Sequence, residues 1–235
     1  MDVDEIQVKL QEEGYCVVSG AIAPAEARRL DERTRAVVDE LGDAYISLEG
    51  ALNDLPELAG LCTHALVMDV AERVLGSGFL LANNVAIKLC KPGTQAGGLH
   101  ADWPVRAVAA APPGSLAPPW GGLQVFFMLR DATAENGATR VVPFSHHLQR
   151  PPTRTEYPQE TPVVGKAGDM FLFHNQLWHR SGQNTTTDDY RNLANIFYIP
   201  GSLHRPPEAW PLVKRAVYDT FDKRLQQLLA RSVEA

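Results

Sequence analysis

From Phe79 to Pro200 the chain is built of short runs, FLLANNVAIKLC, GGLQVFFMLRD, ATRVVPF, PVVGKAGDMFLFH and NLANIFYIP, each apolar with β-branched and aromatic content. Gly, Pro and Asn separate them. Several short strands with this punctuation predict a β-sandwich or jelly roll. The chain has 235 residues, 45% hydrophobic and 21% charged, which is ordinary globular usage and enough for one sizeable core. No repeat and no linker is visible. The reading is therefore a single domain over 1–235, mainly β with flanking helices: a helical N-terminal part over 1–76, a β core over about 79–200 and a C-terminal helix over about 207–232.

Within the helical part, Tyr15 to Ser19 reads as one short strand, and Pro24 then opens a helix that Gly42 closes, because Pro suits a first helical position and Gly a position just past the end. A second helix is expected from the Asn53/Asp54 cap through Leu58, Leu61, Val67, Val70 and Val74 to Gly76. The last one follows Pro211, with Leu212, Val217, Phe221, Leu225, Leu228 and Leu229 as its apolar stripe. Ala107 to Pro119 is Pro- and Ala-rich without periodicity and reads as a loop or lid.

The formal charge is −6, and no run of Lys or Arg exists to form a nucleic-acid groove or a patch for anionic lipid. No apolar stretch approaches the roughly 18 residues of a membrane span, and the N-terminus is acidic where a secretion signal would be basic and then apolar. Cys16, Cys62 and Cys90 are far apart and lack the spacing of a disulfide framework or a thiolate zinc site. The expectation is a cytoplasmic protein acting on a small-molecule substrate, with neither nucleic acid nor membrane as partner.

His100 and Asp102 stand two apart in GGLHADWP, and in an extended segment residues i and i+2 face the same side. Alone, such a pair reads more readily as a surface turn than as a ligand pair. His179 ends a strongly apolar strand in GDMFLFHNQLWHRSGQN. Two His and one carboxylate make a facial triad that suits non-haem Fe(II). Zinc is the competing metal, although no HExxH helix and no G-x-S-x-G elbow is present. His174 lies five before His179 and should face the other way on an extended strand. Arg191 opens the strand NLANIFYIP, and an Arg at the start of an apolar strand needs an anionic partner that its planar fork can hold bidentately.

HAD, then ENGATRVVPFSHH, then GDMFLFHNQLWHRSGQN followed by Arg191, resemble in this order the phytanoyl-CoA dioxygenase family of Fe(II)/2-oxoglutarate oxygenases. EEGYCVVSGAIAPAEARRL is similar to that family's opening strand and helix, so the likeness runs roughly from Leu10 to Pro200. The resemblance implies a double-stranded β-helix, a cupin-like jelly roll, with His100, Asp102 and His179 as iron ligands. It implies that Arg191 and Ser181 hold the distal carboxylate of 2-oxoglutarate, with O2 as co-reactant. It also places Trp120 and Asn83, and more distantly Lys88, near the cosubstrate, in a site walled by Ile196, Phe171 and Phe173. With Asp102 in place, it implies oxidation without halogenation.

Trp103, Arg106, His147 and Trp178 flank these positions and are the substrate-contact candidates, because an organic substrate needs aromatic lining. Two features depart from the family: Phe144 stands at the usual Gly of a P-G-S-H turn, and Arg191 sits about one residue further from His179. The expected function is hydroxylation or a related C–H oxidation of a small or medium organic molecule such as a natural-product intermediate. The alternatives are a non-oxidative cupin-like metal protein and a zinc-dependent hydrolase.

Overall fold

The computed structural model describes residues 1–39, 45–102, 120–156, 158–203, 211–230 and 232–234. The expected lid at 107–119 lies outside them, as do Trp103 and Arg106. Among the described residues ten strands form: β1 (Tyr15–Val18), β2 (Tyr45–Glu49), β3 (Leu80–Leu81), β4 (Ala86–Cys90), β5 (Leu123–Met128), β6 (Arg140–Val141), β7 (Thr161–Pro162), β8 (Met170–His174), β9 (His179–Arg180) and β10 (Arg191–Ile199). The large sheet runs β1-β8-β5-β10-β4-β2, with β3 also paired to β10, and the small sheet runs β7-β6-β9. All named strand pairs are antiparallel.

The large sheet has two faces set by the two-residue period of its strands. On β10 the even positions Ala194, Ile196 and Tyr198 join Leu123, Val125 and Phe127 of β5 and Leu172 of β8 in the main core, which the helices cover. The odd positions turn the other way. Phe126, Met128, Phe171, Phe173 and Leu193 make a second apolar cluster with Val141 and Leu177, between the two sheets. Arg191, Asn195 and Phe197 of β10 line a cavity beside it. Ile196 therefore faces the helices and not the site, as its odd distance from Arg191 requires. Phe171 and Phe173 do lie on the inner side.

The helical layer consists of α1 (Val3–Glu12), α2 (Pro24–Val38), α3 (Ala59–Cys62), α4 (Ala65–Leu75), α5 (Arg215–Tyr218) and α6 (Lys223–Leu228). A capping box between Asp2 and Glu5 starts α1, each side chain satisfying the other's exposed backbone donor. Asp31 of α2 is buried and accepts hydrogen bonds from Tyr190 Oη at 2.6 Å and Asn192 Nδ2 at 2.7 Å, tying the helix to β10. The single helix expected from Asn53 to Gly76 is instead two 3-10 turns, at Ala51–Asn53 and Pro56–Leu58, followed by α3 and α4. Pro56 cannot donate the backbone bond a continuous helix needs there. The C-terminal helix is likewise split, at Asp219–Asp222, where Asp222 caps α6 through Leu225 N. Among the described residues no helix is long and apolar enough to cross a membrane.

Between α1 and β8 sits a column of rings. Trp120 packs on His174 at 4.4 Å, His174 on His146 at 5.3 Å and His146 on His147 at 4.0 Å. His146 Nε2–H donates to Gln11 O at 3.0 Å, and Phe144 N donates to Glu13 O at 3.0 Å, so the turn is bolted to the end of α1. Phe144 takes φ +65°, ψ −5°, a left-handed conformation natural to the glycine that it replaces and costly for a side-chain-bearing residue.

His146 and His174 are fully buried, and burial pushes their imidazoles down to about 4 and about 3. The unfolded chain therefore takes up these protons first, so their contribution to stability is complete above about pH 6.5 and is lost as pH falls toward 4 and 3. Stability should fall by about 1 kcal/mol or more per pH unit below pH 6. Denaturant unfolding at stepped pH checks this. A His146→Gln/His174→Gln protein that keeps the wild-type slope would show that the acid sensitivity lies elsewhere.

Candidate metal centre and cosubstrate cavity

The segment 97–102 has no regular element of its own, yet its backbone is fixed against β9. His100 N donates to His179 O at 3.0 Å, His179 N returns the bond to His100 O at 2.9 Å, Gly97 N reaches Ser181 O at 3.0 Å and Asp102 N reaches Asn175 O at 2.8 Å. The strip lies so close to β9 that a Cβ at Gly97 would lie 2.9 Å from Ser181 Oγ and make that hydroxyl turn away. The result is an extra edge on the small sheet that sets His100 across from His179, with their rings 4.4 Å apart.

One ligand atom from each of His100, Asp102 and His179 lies within 4.8 Å of the others. His100 Nε2 is 3.6 Å from Asp102 Oδ1, and His179 Nε2 is 3.6 Å from Asp102 Oδ2. Both rings turn Nδ1 toward a backbone carbonyl, Gly98 O at 2.9 Å and Leu177 O at 2.9 Å. A carbonyl only accepts, so each Nδ1 carries the proton and each Nε2 presents a lone pair. Burial lowers the His179 pKa, which keeps that ring neutral. Two preset imidazoles and a carboxylate converging on one point are a fit donor set for Fe(II).

A chain of side-chain amides leads to the carboxylate. Phe197 N donates to Asn83 Oδ1 at 2.9 Å, Asn83 Nδ2 to Asn195 Oδ1 at 3.3 Å, Asn195 Nδ2 to Gln124 Oε1 at 2.6 Å and Gln124 Nε2 to Asp102 Oδ2 at 2.7 Å. A backbone N–H can only donate and a carboxylate only accept, so the direction of every amide is fixed from both ends. Asp102 Oδ2 is thereby occupied, and Oδ1 faces His100.

The centre opens on a cavity of about 520 Å3 whose wall includes Asn83, Lys88, Ser181 and Arg191. Arg191 is 1% exposed. Its Nε donates to Gly137 O at 3.1 Å and its Nη1 to Lys88 O at 3.2 Å, while Nη2 has no partner. A buried cationic N–H left unpaired is costly, and a carboxylate entering the cavity satisfies it. Lys88 is paired with Glu49 across β4 and β2.

Three other candidates sit elsewhere. Trp120 stacks on His174 and is not part of the cavity wall. His147 is exposed, with Nε2 at 3.3 Å from Glu12 O. Trp178 is buried, donating its indole N–H to Arg150 O at 2.8 Å beneath the Arg150 guanidinium. Sequence reasoning missed Gln124, Asn195 and Thr139, which do line the cavity. The first two were visible as polar residues interrupting otherwise apolar strands.

The phytanoyl-CoA dioxygenase family profile matches residues 10–193. The chain is 26% identical over 255 residues to Dioxygenase af480 of Aspergillus fumigatus, covering 99% of this chain and 78% of that protein. It is 27% identical over 250 residues to the Fe(II)/2-oxoglutarate-dependent dioxygenase nvfF of Aspergillus novofumigatus, covering 97% and 82%. Among solved structures, HygX of Streptomyces hygroscopicus with nickel and 2-oxoglutarate bound superposes with TM-score 0.71 at 15% identity, covering 94% and 93% of the two chains. The epimerase SnoN in complex with Fe3+, alpha ketoglutarate and nogalamycin RO gives 0.67 at 22%, covering 87% and 86%. These two likenesses establish the jelly-roll fold.

The amide chain predicts that Gln124→Leu weakens Fe(II) binding by about 10- to 100-fold, the usual cost of losing a hydrogen bond to a metal-binding carboxylate, while the melting temperature changes little. Anaerobic Fe(II) titration of the variant checks it. An unchanged affinity would mean that Asp102 needs no support.

Proposed function

The chain belongs to the phytanoyl-CoA dioxygenase family and is an Fe(II)/2-oxoglutarate-dependent dioxygenase, and on that footing we propose that His100, Asp102 and His179 hold the iron while Arg191 and Ser181 hold the cosubstrate's distal carboxylate. The observation that carries the reading is the unpaired Nη2 of buried Arg191, on the wall of the cavity onto which the two free Nε2 lone pairs open. Bound Fe(II), with 2-oxoglutarate giving succinate and CO2, supplies O2-driven oxidation of a C–H bond. The chain's own part is orientation. The Nδ1 bonds fix both rings, Gln124 fixes the carboxylate, and Arg191 fixes how deep the cosubstrate enters.

The substrate we assign is a small or medium organic molecule, a natural-product intermediate, oxidised by hydroxylation or a related C–H oxidation. The compact cavity supports this, and so does the neighbour SnoN, whose complex contains nogalamycin RO. Asn83 enters the site as a link to Asp102 through Asn195 and Gln124, in addition to forming cavity wall.

His100→Ala and His179→Ala should each abolish 2-oxoglutarate-dependent activity with the fold retained, because two ligands no longer hold iron in the facial arrangement. Turnover near wild type in either variant under trace-metal control contradicts the assignment. Arg191→Gln should raise the 2-oxoglutarate requirement by roughly 100-fold or more, since breaking a buried charge pair costs about 3 to 5 kcal/mol, and should barely move Fe(II) affinity. An apparent constant within about threefold of wild type in a folded protein removes Arg191 as the anchor.

A further inference from the structure

A second cavity, of about 680 Å3, shares Gly97, Gly98 and Arg180 with the first as a common wall. Its lining is unlike that of a neutral pocket. Arg140 of β6 and Arg180 of β9 are directly opposite cross-strand partners, so their side chains leave the small sheet on one face, where like charges repel. One carboxylate serves both: Glu160 Oε2 accepts from Arg140 Nε at 3.0 Å and from Arg180 Nε at 2.9 Å. Glu160 is the most shielded of the three, with 12% of its side chain exposed against 31% and 29%.

Arg154 adds a third guanidinium to this lining and has no ion-pair partner among the described residues. The remaining acid, Glu156, is committed to Arg150, bonded at 2.6 and 3.0 Å, and to Thr153 N at 2.6 Å. A chain of net charge −6 thus concentrates surplus positive charge in a concavity one residue from a proposed iron ligand.

We propose that this second cavity is an anion-binding subsite and that it receives a carboxylate of the organic substrate while another part of the molecule lies over the metal centre. The inference rests on the dioxygenase reading and deepens it by naming a substrate class, a carboxylic acid. Guanidinium forks match a planar carboxylate. Glu160 and Glu156 in the same wall favour a singly charged group and oppose a dianion such as phosphate. The wall between the cavities carries no side chain at Gly97 or Gly98, which keeps the two sites close enough for one molecule to be proposed for both.

The test uses the full chain under anaerobic conditions with Fe(II) and saturating 2-oxoglutarate, so that Arg191 is already engaged. The probes are 3-phenylpropionate and decanoate, each titrated calorimetrically against its own primary amide. At least one acid should bind tenfold or more tighter than its amide, and in Arg154→Gln that preference should shrink to within about twofold. Arg154 is exposed, so this variant keeps its fold, whereas Arg180→Gln, which should act likewise, breaks a contact with Glu160. Equal binding of acid and amide, no binding of either, or a preference that survives both substitutions overturns the proposal. The visible Fe(II)–2-oxoglutarate absorption recorded on the same sample separates the two claims. Its absence tells against the dioxygenase reading, and its presence without an acid preference tells against the anion subsite alone.

Discussion

Two reciprocal backbone hydrogen bonds between His100 and His179 carry the site. They form one antiparallel bridge between distant parts of the sequence, and the spacing of the two proposed iron-binding histidines follows from it. The bridge fixes the distance between the two rings. It also aligns the flanking strip so that Asp102 N meets Asn175 O and Gly97 N meets Ser181 O. The Nδ1 bonds are local to each strand, at Gly98 and Leu177, so the tautomers are set by the same backbone that sets the spacing. A site on such a frame is preorganised before any ligand arrives.

The cost of that frame is polarity inside a β core. The inner faces of β4, β5 and β10 carry Lys88, Gln124, Arg191 and Asn195, where apolar residues would pack with no hydrogen-bond demand. The molecule meets this demand by closing the amides into a directed chain that ends on Asp102, and by giving Arg191 two backbone carbonyls. Of these four side chains, Arg191 keeps one unsatisfied group, Nη2, and that is the observation on which the proposed cosubstrate position rests. The largely apolar opposite face, held by the helices, supplies the compensating stability.

Much of this was legible from residues alone, and the misses have physical causes. The jelly roll, the His-x-Asp pair, the distal His and the strand-opening Arg all follow from strand period and donor chemistry, and the family resemblance tied them together. The helical part expected over 1–76 includes α1 but gives it no bounds of its own, because the charge of MDVDEIQVKLQEEG hides its period, although Asp2 and Glu5 have the spacing of a capping box. Strand β2 was missed inside a stretch read as helical. Ile196 was placed on the wrong wall although its odd separation from Arg191 excludes it. Gln124 and Asn195 share a face with Phe126 and Phe197, and a parity count of polar residues within apolar strands finds them. The stacking of Trp120 on His174 and the seating of His146 against α1 depend on turns whose geometry no pattern encodes. Phe144 is the opposite case: the departure was visible in sequence, and its positive φ is the structural consequence.

The central claim is that iron and 2-oxoglutarate share one site in this chain. Its most direct test is the visible spectrum of the purified protein under anaerobic conditions. Addition of 2-oxoglutarate to the Fe(II)-loaded protein should produce a weak metal-to-ligand charge-transfer band that neither component gives alone, and that His179→Ala does not give. A wild-type protein that binds Fe(II) yet develops no such band at saturating 2-oxoglutarate would contradict the account.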